Sequence, residues 1–262
     1  MSTNAIEHRD HVDLAVLGTV VRVRLEDPSD RDALVGPWHL CVLEPGVREL
    51  PERRIVTLCA SSDERRRQSA LTSLTQAVTR AAIEEQSGRL LMFHAGALAD
   101  LRTGAAVIYV APGGTGKTTL SSTLGRGRGY ITDETVAVTR GGEIVPYPKP
   151  LSTRLTSGGK GEVAPGSLGL GPVATAPWVA GLLSLRRDPL HAGDPHVRSV
   201  GLLDAIAMLS PEISALARLD KPLQTCRDII ELGGGLLQVT YREAAQLEEL
   251  VREILTRERD EH

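Results

Sequence analysis

The residues of this chain with the clearest chemical meaning form the stretch APGGTGKT, residues 111–118. It matches the phosphate-loop pattern G-x-x-x-x-G-K-[ST], with alanine in place of the first glycine. In such loops, backbone N–H groups and a helix N-terminus point at a polyanion, and glycine lets the backbone approach without a Cβ clash. The sequence therefore predicts a site for the phosphates of a nucleoside triphosphate. The predicted nucleotide-binding residues are Gly113, Gly114, Thr115, Gly116, Lys117, Thr118 and Thr119.

Two side chains of the loop have individual roles in this pattern. Lys117 is expected to reach the β- and γ-phosphates, and Thr118 is expected to offer its hydroxyl to Mg²⁺. The required context is present, because the apolar AAVIYV precedes the loop as a strand and KTTLSSTL follows it as a helix. The alternative is a glycine-rich turn between a strand and a helix whose lysine binds no ligand.

A pair of acids and a histidine accompany the loop. Asp133 and Glu134 come fifteen and sixteen positions after Thr118, in front of the apolar run TVAV rather than behind one, and His94 lies in the preceding FHAGAL. A carboxylate near an acceptor hydroxyl can take its proton, which phosphoryl transfer uses besides positioning and Mg²⁺. The alternatives are a solvated strand start for the acids and a core histidine bonded to backbone for His94.

Together these segments resemble the HPr kinase/phosphorylase and phosphoenolpyruvate carboxykinase-like superfamily. They look most like the bacterial HPr-kinase-like proteins, some of which are encoded with peptide-modification enzymes. The resemblance rests on FHAGALAD, GAAVIYVAPGGTGKTTLSSTL, ITDETVAV, VPYPKPLSTR and the tail segments LARLDKPL and GGGLLQVTY. It covers about residues 90–254, whereas the first 88 residues carry no matching motif.

The resemblance implies a mixed α/β sheet with flanking helices, of the P-loop phosphoenolpyruvate carboxykinase/HPr kinase type, and roles for single residues. Lys117 and Thr118 match the phosphate and metal positions. Asp133 matches the first of the family's paired acids, which handle Mg²⁺ and the attacking hydroxyl. At the second position HPr kinases have Asp where this chain has Glu134, so which acid is the base stays open. The predicted catalytic residues are Asp133, Glu134, His94 and Lys117, and the predicted metal ligands are Thr118 and Asp133.

The elements that must position these residues follow from the spacing of apolar positions. The first 88 residues are typical of short strands followed by an amphipathic helix over residues 62–88. Single strands are predicted over residues 89–100 and 105–112, on both sides of the turn at residues 101–104, and over residues 130–139 and 143–148, on both sides of the turn at residues 140–142. Residues 149–177 are predicted to be a mobile region rich in Pro, Gly, Ser and Thr. The chain is thus divided into a β-rich segment, residues 1–88, packed on a P-loop kinase core, residues 89–262.

Four further basic residues are candidates for bringing positive charge to the γ-phosphate or to an acidic substrate. They are Lys149, Arg154, Arg186 and Arg187. The alternative for each is a solvated surface position, which is where most basic side chains lie.

Composition excludes several classes of function. The chain has 262 residues, 41% of them hydrophobic, and a net charge of −3. No basic run exceeds the three residues 65–67, which argues against a nucleic-acid partner. No apolar run reaches the ~18 residues that span a bilayer, and three widely spaced cysteines form neither a disulfide framework nor a metal knuckle. We therefore expect a cytoplasmic protein without a membrane partner.

The leading hypothesis is an ATP-dependent kinase that uses Mg²⁺ to phosphorylate a hydroxyl, either Ser or Thr of a peptide or small protein, or a small-molecule alcohol. The alternative is a nucleotide-binding regulatory or scaffold protein with weak or no transfer activity. The presence of Glu134 where HPr kinases have Asp keeps this alternative open. Carboxykinase chemistry is disfavoured, because it needs further metal ligands that the sequence does not offer. HPr kinases assemble as oligomers, so the resemblance also implies a homo-oligomer.

Overall fold

The structure is a computed structural model, and it describes residues 10–44, 54–59, 63–113, 115–154, 160–173 and 176–259. The chain divides into two compact units. The first unit comprises residues 1–86 and 147–168, and the second comprises residues 87–146 and 169–262. The first division lies close to the boundary predicted after residue 88. Residues 147–168, which the prediction included in the kinase core, group with the first unit.

The described residues form fifteen strands and six α-helices. The strands are β1 (His11–Val16), β2 (Thr19–Leu25), β3 (Ile55–Leu58), β4 (Leu91–Phe93), β5 (Ala95–Ala99), β6 (Ala105–Val110), β7 (Gly129–Thr132), β8 (Val136–Val138), β9 (Ile144–Val145), β10 (Leu151–Arg154), β11 (Lys160–Val163), β12 (Trp178–Arg187), β13 (His196–Val200), β14 (Ile213–Ser214) and β15 (Leu236–Tyr241). The helices are α1 (Arg31–Trp38), α2 (Glu64–Gln86), α3 (Lys117–Leu124), α4 (Leu202–Leu209), α5 (Pro222–Leu232) and α6 (Glu248–Leu255). Among the described residues, none of these helices combines the length and the apolar character needed to cross a membrane.

The first unit contains a small sheet that packs against the long helix α2. β1 and β2 form an antiparallel hairpin and β3 lies parallel to β2. α2 confirms the amphipathic helix predicted over residues 62–88. Its buried positions recur every three or four residues, so they form one apolar face against β2 and β3. These positions are Leu71, Leu74, Val78 and Ala82.

The proline-rich segment after β9 also belongs to the first unit. It forms the antiparallel hairpin β10–β11 where a mobile loop was predicted. Lys149 is only 2% exposed, and its Nζ donates to the carbonyl of Pro150 at 2.8 Å. Burial raises the pKa of the nearby Glu162, and the charge of Lys149 opposes that shift. Lys149 therefore lies in the interior of its own unit, which corrects the prediction that it brings positive charge to the γ-phosphate or to an acidic substrate. The side chain of Arg154 lies outside the described residues.

The second unit is built on a six-stranded mixed sheet with the strand order β13-β15-β12-β6-β5-β7. β6, β12 and β15 are parallel, whereas β5 runs antiparallel to both β6 and β7. α5 and α6 pack on β12. This mixed α/β sheet with flanking helices confirms the fold class predicted from the sequence.

A second, antiparallel sheet of the same unit has the order β14-β4-β8-β9. Two neighbouring stretches of chain pass side by side from one sheet to the other. β4 leads into β5 through His94, and β7 leads into β8 through residues 133–135. Phe93 pairs with Val136 on one side of this crossing, and Ala97 pairs with Thr132 on the other. The sequence predicted each stretch as one continuous strand, and both break where they change sheets.

A glycine allows β5 and β6 to hold the loop helix. Gly96 lies opposite Tyr109, and a Cβ at Gly96 would come within 2.2 Å of the Tyr109 ring. The buried hydroxyl of Tyr109 donates to Ser121 Oγ at 2.6 Å, since Ser121 itself donates to the Lys117 carbonyl at 3.0 Å. These contacts tie the sheet to α3, the helix that follows the glycine loop.

Candidate active site

The glycine loop connects β6 to α3 at the carboxyl edge of the six-stranded sheet. Gly116 precedes α3 with a φ of 99°, a left-handed conformation that favours glycine. A Cβ added to Gly116 would meet only Thr119, at 4.0 Å, and one added to Gly113 would meet nothing within 4 Å. The N–H groups of the first turn of α3, which have no partner inside a helix, therefore have room for an anion. Gly114 lies outside the described residues.

Lys117 bends back onto its own loop. Its Nζ donates to the carbonyl of Ala111 at 2.5 Å. Burial lowers the pKa of Lys117, and the nearby carboxylates of Glu212, Asp133 and Glu134 oppose that shift. The ammonium group thus lies at the loop among acidic neighbours, where a phosphate oxygen could replace the carbonyl as its partner.

Asp133 joins the loop helix directly. Thr118 Oγ1 donates to Asp133 Oδ2 at 2.7 Å, and the Tyr130 hydroxyl donates to Asp133 Oδ1 at 3.1 Å. Asp133 is 6% exposed, so these two hydroxyls replace much of the water that an ionised carboxylate needs. Thr118 and Asp133, the two predicted metal ligands, are therefore in direct contact although they lie fifteen positions apart in the sequence.

The strand register explains why an acid from another element reaches the loop. β7 ends at Thr132, which pairs with Ala97 of β5, and β5 begins at Ala95, which pairs with Val110 at the end of β6. The last residue of β7 and the last residue of β6 therefore lie near the same edge of the sheet. Asp133 is the first residue beyond that edge.

His94 lies at the break between β4 and β5, next to the end of β6. Its backbone N–H donates to the carbonyl of Glu212 at 2.6 Å, and the next residue donates to the carbonyl of Glu134 at 3.1 Å. Burial and the positive charge of Lys117 lower the pKa of His94, whereas Glu212 and Glu134 oppose the shift. The half-buried imidazole is therefore neutral at pH 7 and can both donate and accept one hydrogen bond. His94, Glu134 and Lys117 form one electrostatic group.

Glu212 belongs to this group and was not predicted. It ends the 3₁₀ helix Ser210–Glu212, directly before β14, whose Ile213 pairs with Phe93. Its negative charge acts on both Lys117 and His94. Nothing in the surrounding SPEIS segment marks Glu212 as functional, because it reaches the site through the pairing of β14 with β4.

Of the other predicted cations, Arg187 lies near the loop and Arg186 is exposed beside it. Arg187 ends β12, and its Nε donates to the carbonyl of Arg242 at 2.9 Å while its guanidinium pairs with Glu243 at 3.2 Å. Arg187 also lines a small cavity with Thr115, Gly116 and Thr119. Arg186 and Arg187 thus lie on one side of the loop, at the end of β12. His94, Asp133 and Glu134 lie on the other side, next to β5 and β7.

The residues predicted to hold Mg²⁺ fit that ion. Thr118 and Asp133 offer a hydroxyl and a carboxylate, the hard oxygen ligands that Mg²⁺ prefers. Within the described residues, no cluster of three or more His, Cys, Asp or Glu forms a ready-made metal cage. Mg²⁺ is commonly bound by one or two protein ligands together with substrate phosphates and water, so two protein ligands beside a phosphate loop suffice.

Comparison with known proteins reveals a distant structural similarity. No protein-family model matches the chain, and no curated protein matches it. A solved structure that is similar in part is the HPr(Ser) kinase/phosphatase from Coxiella burnetii, which is 18% identical, with a TM-score of 0.36. The match covers 62% of this chain and 94% of that chain.

Proposed function

We propose that the second unit is an ATP-dependent phosphotransferase that moves the γ-phosphate to a hydroxyl group with Mg²⁺ as its cofactor. The observation that carries this proposal is the 2.7 Å hydrogen bond between Thr118 and Asp133, directly beside Lys117. A hydroxyl, a carboxylate and an ammonium group thus lie together at one glycine loop. These are the groups that position Mg²⁺ and phosphates in P-loop enzymes.

The loop binds the triphosphate before any chemistry occurs. Backbone N–H groups of the loop and of the first turn of α3 hold the phosphate oxygens. Lys117 leaves the carbonyl of Ala111 and pairs with the β- and γ-phosphates. Thr118 and Asp133 hold Mg²⁺, which in such sites neutralises the charge that develops on the transferred phosphoryl group.

Glu134 is the proton acceptor in this proposal. Both oxygens of Asp133 already accept hydrogen bonds, from Thr118 and Tyr130, which suits Asp133 to metal binding rather than proton transfer. Glu134 follows it with a longer side chain that is partly exposed. The acceptor hydroxyl gives its proton to Glu134 and its oxygen forms a bond to the γ-phosphorus. The bond from the γ-phosphorus to the bridging oxygen breaks, and ADP leaves.

The acceptor we propose is Ser or Thr of a peptide or small protein, within the wider class of hydroxyl compounds. This choice follows the resemblance of the sequence to the HPr-kinase-like proteins, including those encoded with peptide-modification enzymes. The neutral His94, beside Glu134 and Lys117, orients the acceptor hydroxyl through one hydrogen bond. The same resemblance supports a homo-oligomer.

The decisive variant is Glu134→Gln, which removes the proposed proton acceptor and leaves the two proposed Mg²⁺ ligands in place. Its affinity for Mg·ATP, measured by calorimetry, should stay within about tenfold of the original protein, while phosphoryl transfer falls ~10²-fold or more. Transfer is followed with γ-labelled ATP offered together with Ser/Thr peptides and small hydroxyl compounds. Asp100→Asn is the matched control, because Asp100 caps the turn at the opposite ends of β5 and β6 and should leave both quantities unchanged.

Two results would overturn the proposal. If the intact protein binds no Mg·ATP at millimolar nucleotide, there is no nucleotide site. If it binds Mg·ATP but labels no acceptor, and Glu134→Gln leaves a slow hydrolysis unchanged, the nucleotide-binding regulatory alternative replaces the kinase.

A further inference from the structure

A large cavity lies at the edge of the six-stranded sheet opposite to the glycine loop. Trp178 begins β12 and pairs with Ala105, which begins β6, whereas the glycine loop follows the last residue of β6. The six residues of β6 separate the two edges by roughly 20 Å. The volume of the cavity is about 1060 Å³, and its whole lining belongs to the second unit. The cavity is therefore separate from the candidate active site.

The walls of the cavity combine apolar surface with charges of both signs. They are formed by the start of β12, the turn between β8 and β9, the end of α5 and the chain after α6. Apolar surface comes from Leu232, which is 45% exposed, and from Trp178, whose indole N–H donates to the carbonyl of Thr103 at 3.2 Å. The charged lining residues are Arg140, Arg257, Arg259, Asp228, Glu231 and Glu258.

Arg257 is a lining cation that main-chain atoms hold in place. Its Nη1 donates to the carbonyls of Ala180 at 2.7 Å and of Gly233 at 3.2 Å. These bonds use both hydrogens of Nη1 and leave Nε and Nη2, which can bind one carboxylate through two parallel hydrogen bonds. Within the described residues, neither Nε nor Nη2 donates to a protein atom. The guanidinium group is thus oriented by the protein while its two-pronged side remains available.

Most of the other charged lining groups have ion-pair partners within the protein. Arg259 pairs with Glu143 at 3.1 Å, and Arg140 pairs with Asp220 at 3.5 Å. The two acids of α5 share one arginine of the same helix. Glu258, which is exposed, has no ion pair in the part of the chain that the structure describes. The cavity therefore offers a ligand one oriented cation and, next to it in the sequence, one anion.

The size and the lining of the cavity select the class of ligand. About 1060 Å³ is at the upper end of the ~300–1,000 Å³ of pockets for drug-sized ligands, so the cavity has room for several residues of a peptide. A carboxylate suits Arg257, a basic group suits Glu258, and an apolar side chain suits the surface of Trp178 and Leu232. A simple polyanion would be repelled by Glu258 and would leave the apolar wall uncovered.

We propose that this cavity binds a peptide segment that carries an acidic, an apolar and a basic residue. The acidic side chain bonds to Nε and Nη2 of Arg257, the basic side chain pairs with Glu258, and the apolar side chain packs on Trp178 and Leu232. The inference goes beyond the proposed function and does not depend on it, because no residue of the glycine loop lines the cavity. One edge of the sheet thus holds a peptide partner, and the opposite edge carries the proposed chemistry.

The test selects binders to the intact protein from a display library of random short peptides. The affinity of each selected peptide is then measured by fluorescence anisotropy. Arg257→Gln should weaken binding about tenfold to hundredfold, the scale of hydrogen bonds to a charged group. Leu232→Asp should weaken it about as much, because it replaces apolar surface with a charge that repels the acidic residue. Arg252→Gln is the matched control, since Arg252 is exposed on α6, outside the lining, and pairs with Glu249.

Folding and competition measurements make the outcomes decisive. Arg257→Gln also removes bonds to two carbonyls, so its fold is checked by circular dichroism, whereas Leu232→Asp changes an exposed side chain and should leave the denaturation midpoint nearly unchanged. If no peptide is selected, or if the selected peptides bind Leu232→Asp as tightly as the original protein, the inference is wrong. Displacement of the peptides by Mg·ATP would place them at the glycine loop, and displacement by equimolar inorganic phosphate would make the cavity a simple anion site. Either result would overturn the proposal.

Discussion

Lys117 and Lys149 have similar partners in different surroundings. Each ammonium group donates to a nearby carbonyl, of Ala111 at 2.5 Å and of Pro150 at 2.8 Å, and each has carboxylates close by. Lys149 is almost fully buried together with Glu162, whereas Lys117 is partly exposed at the edge of a sheet. A buried cation that interacts with a buried carboxylate of its own unit can stabilise only that unit, while a cation at an open edge can exchange its carbonyl for a ligand.

The surroundings of Lys149 and Lys117 also differ in which elements supply the carboxylates. Glu162 lies on β11, in the hairpin that begins two residues after Lys149, so that site is local. The acids around Lys117 come from the end of β7 and from the turn before β14. Long-range pairing thus gathers negative charge around Lys117, the residue that binds phosphates in the proposed function. These acids oppose the effect of burial on the pKa of Lys117 and so favour its charged form.

The largest effect is expected when Lys149 is replaced. Lys149→Met removes a buried cation whose charge acts on the buried Glu162 carboxylate, and leaving a buried charge uncompensated costs about 3–5 kcal/mol of unfolding free energy. Chemical denaturation followed by circular dichroism measures it. At temperatures where the variant remains folded, its Mg·ATP affinity should equal that of the original protein. A loss of ATP affinity in the folded variant would show that Lys149 acts on the nucleotide after all.

The matched substitution Lys117→Met should have the opposite pattern. Removing the charge that faces the phosphates should weaken Mg·ATP binding about 100-fold, the scale for truncating one partner of a buried charge pair. Calorimetry measures the affinity, and the denaturation midpoint should change little. If Lys117→Met unfolds the protein as readily as Lys149→Met does, the contrast between the two lysines is wrong.

A smaller effect concerns pH. Burial raises the pKa of Glu162 above its usual value near 4.5, so the folded protein retains a proton that the unfolded chain has released. Stability contributed by this group is greatest below that usual value. It falls as pH rises toward the folded pKa, by up to about 1.4 kcal/mol for each tenfold drop in proton concentration. Glu162→Gln should flatten this part of the profile of unfolding free energy against pH. A profile that keeps its slope in Glu162→Gln would assign the slope to another group.

The elements that were predicted correctly from the sequence are those that short-range patterns determine. The glycine loop, its flanking strand and helix, and the helix α2 follow from short-range spacing, and the structure contains all of them. The positions of Asp133 and His94 beside the loop came from the resemblance to a family, because nothing in their own segments fixes their distance to Lys117. Their catalytic roles remain predictions.

Sequence reasoning missed Glu212, which a distant strand brings to the site. Its position depends on the pairing of β14 with β4. A single sequence holds no local signal for that pairing. Lys149 was misplaced for the related reason that residues 149–177 were interpreted as a mobile loop, although the first half of that segment pairs as β10 and β11.

The crossing between the two sheets limits how this protein can change in length during evolution. Three residues lie between the paired positions Phe93 and Ala97, and three lie between Thr132 and Val136. A single insertion in one of these stretches would leave the other too short and turn His94 or Asp133 toward the opposite face, because side chains alternate along a strand. Only paired insertions or deletions would preserve the site. Related chains should therefore keep these two stretches equal in length even where their residues differ.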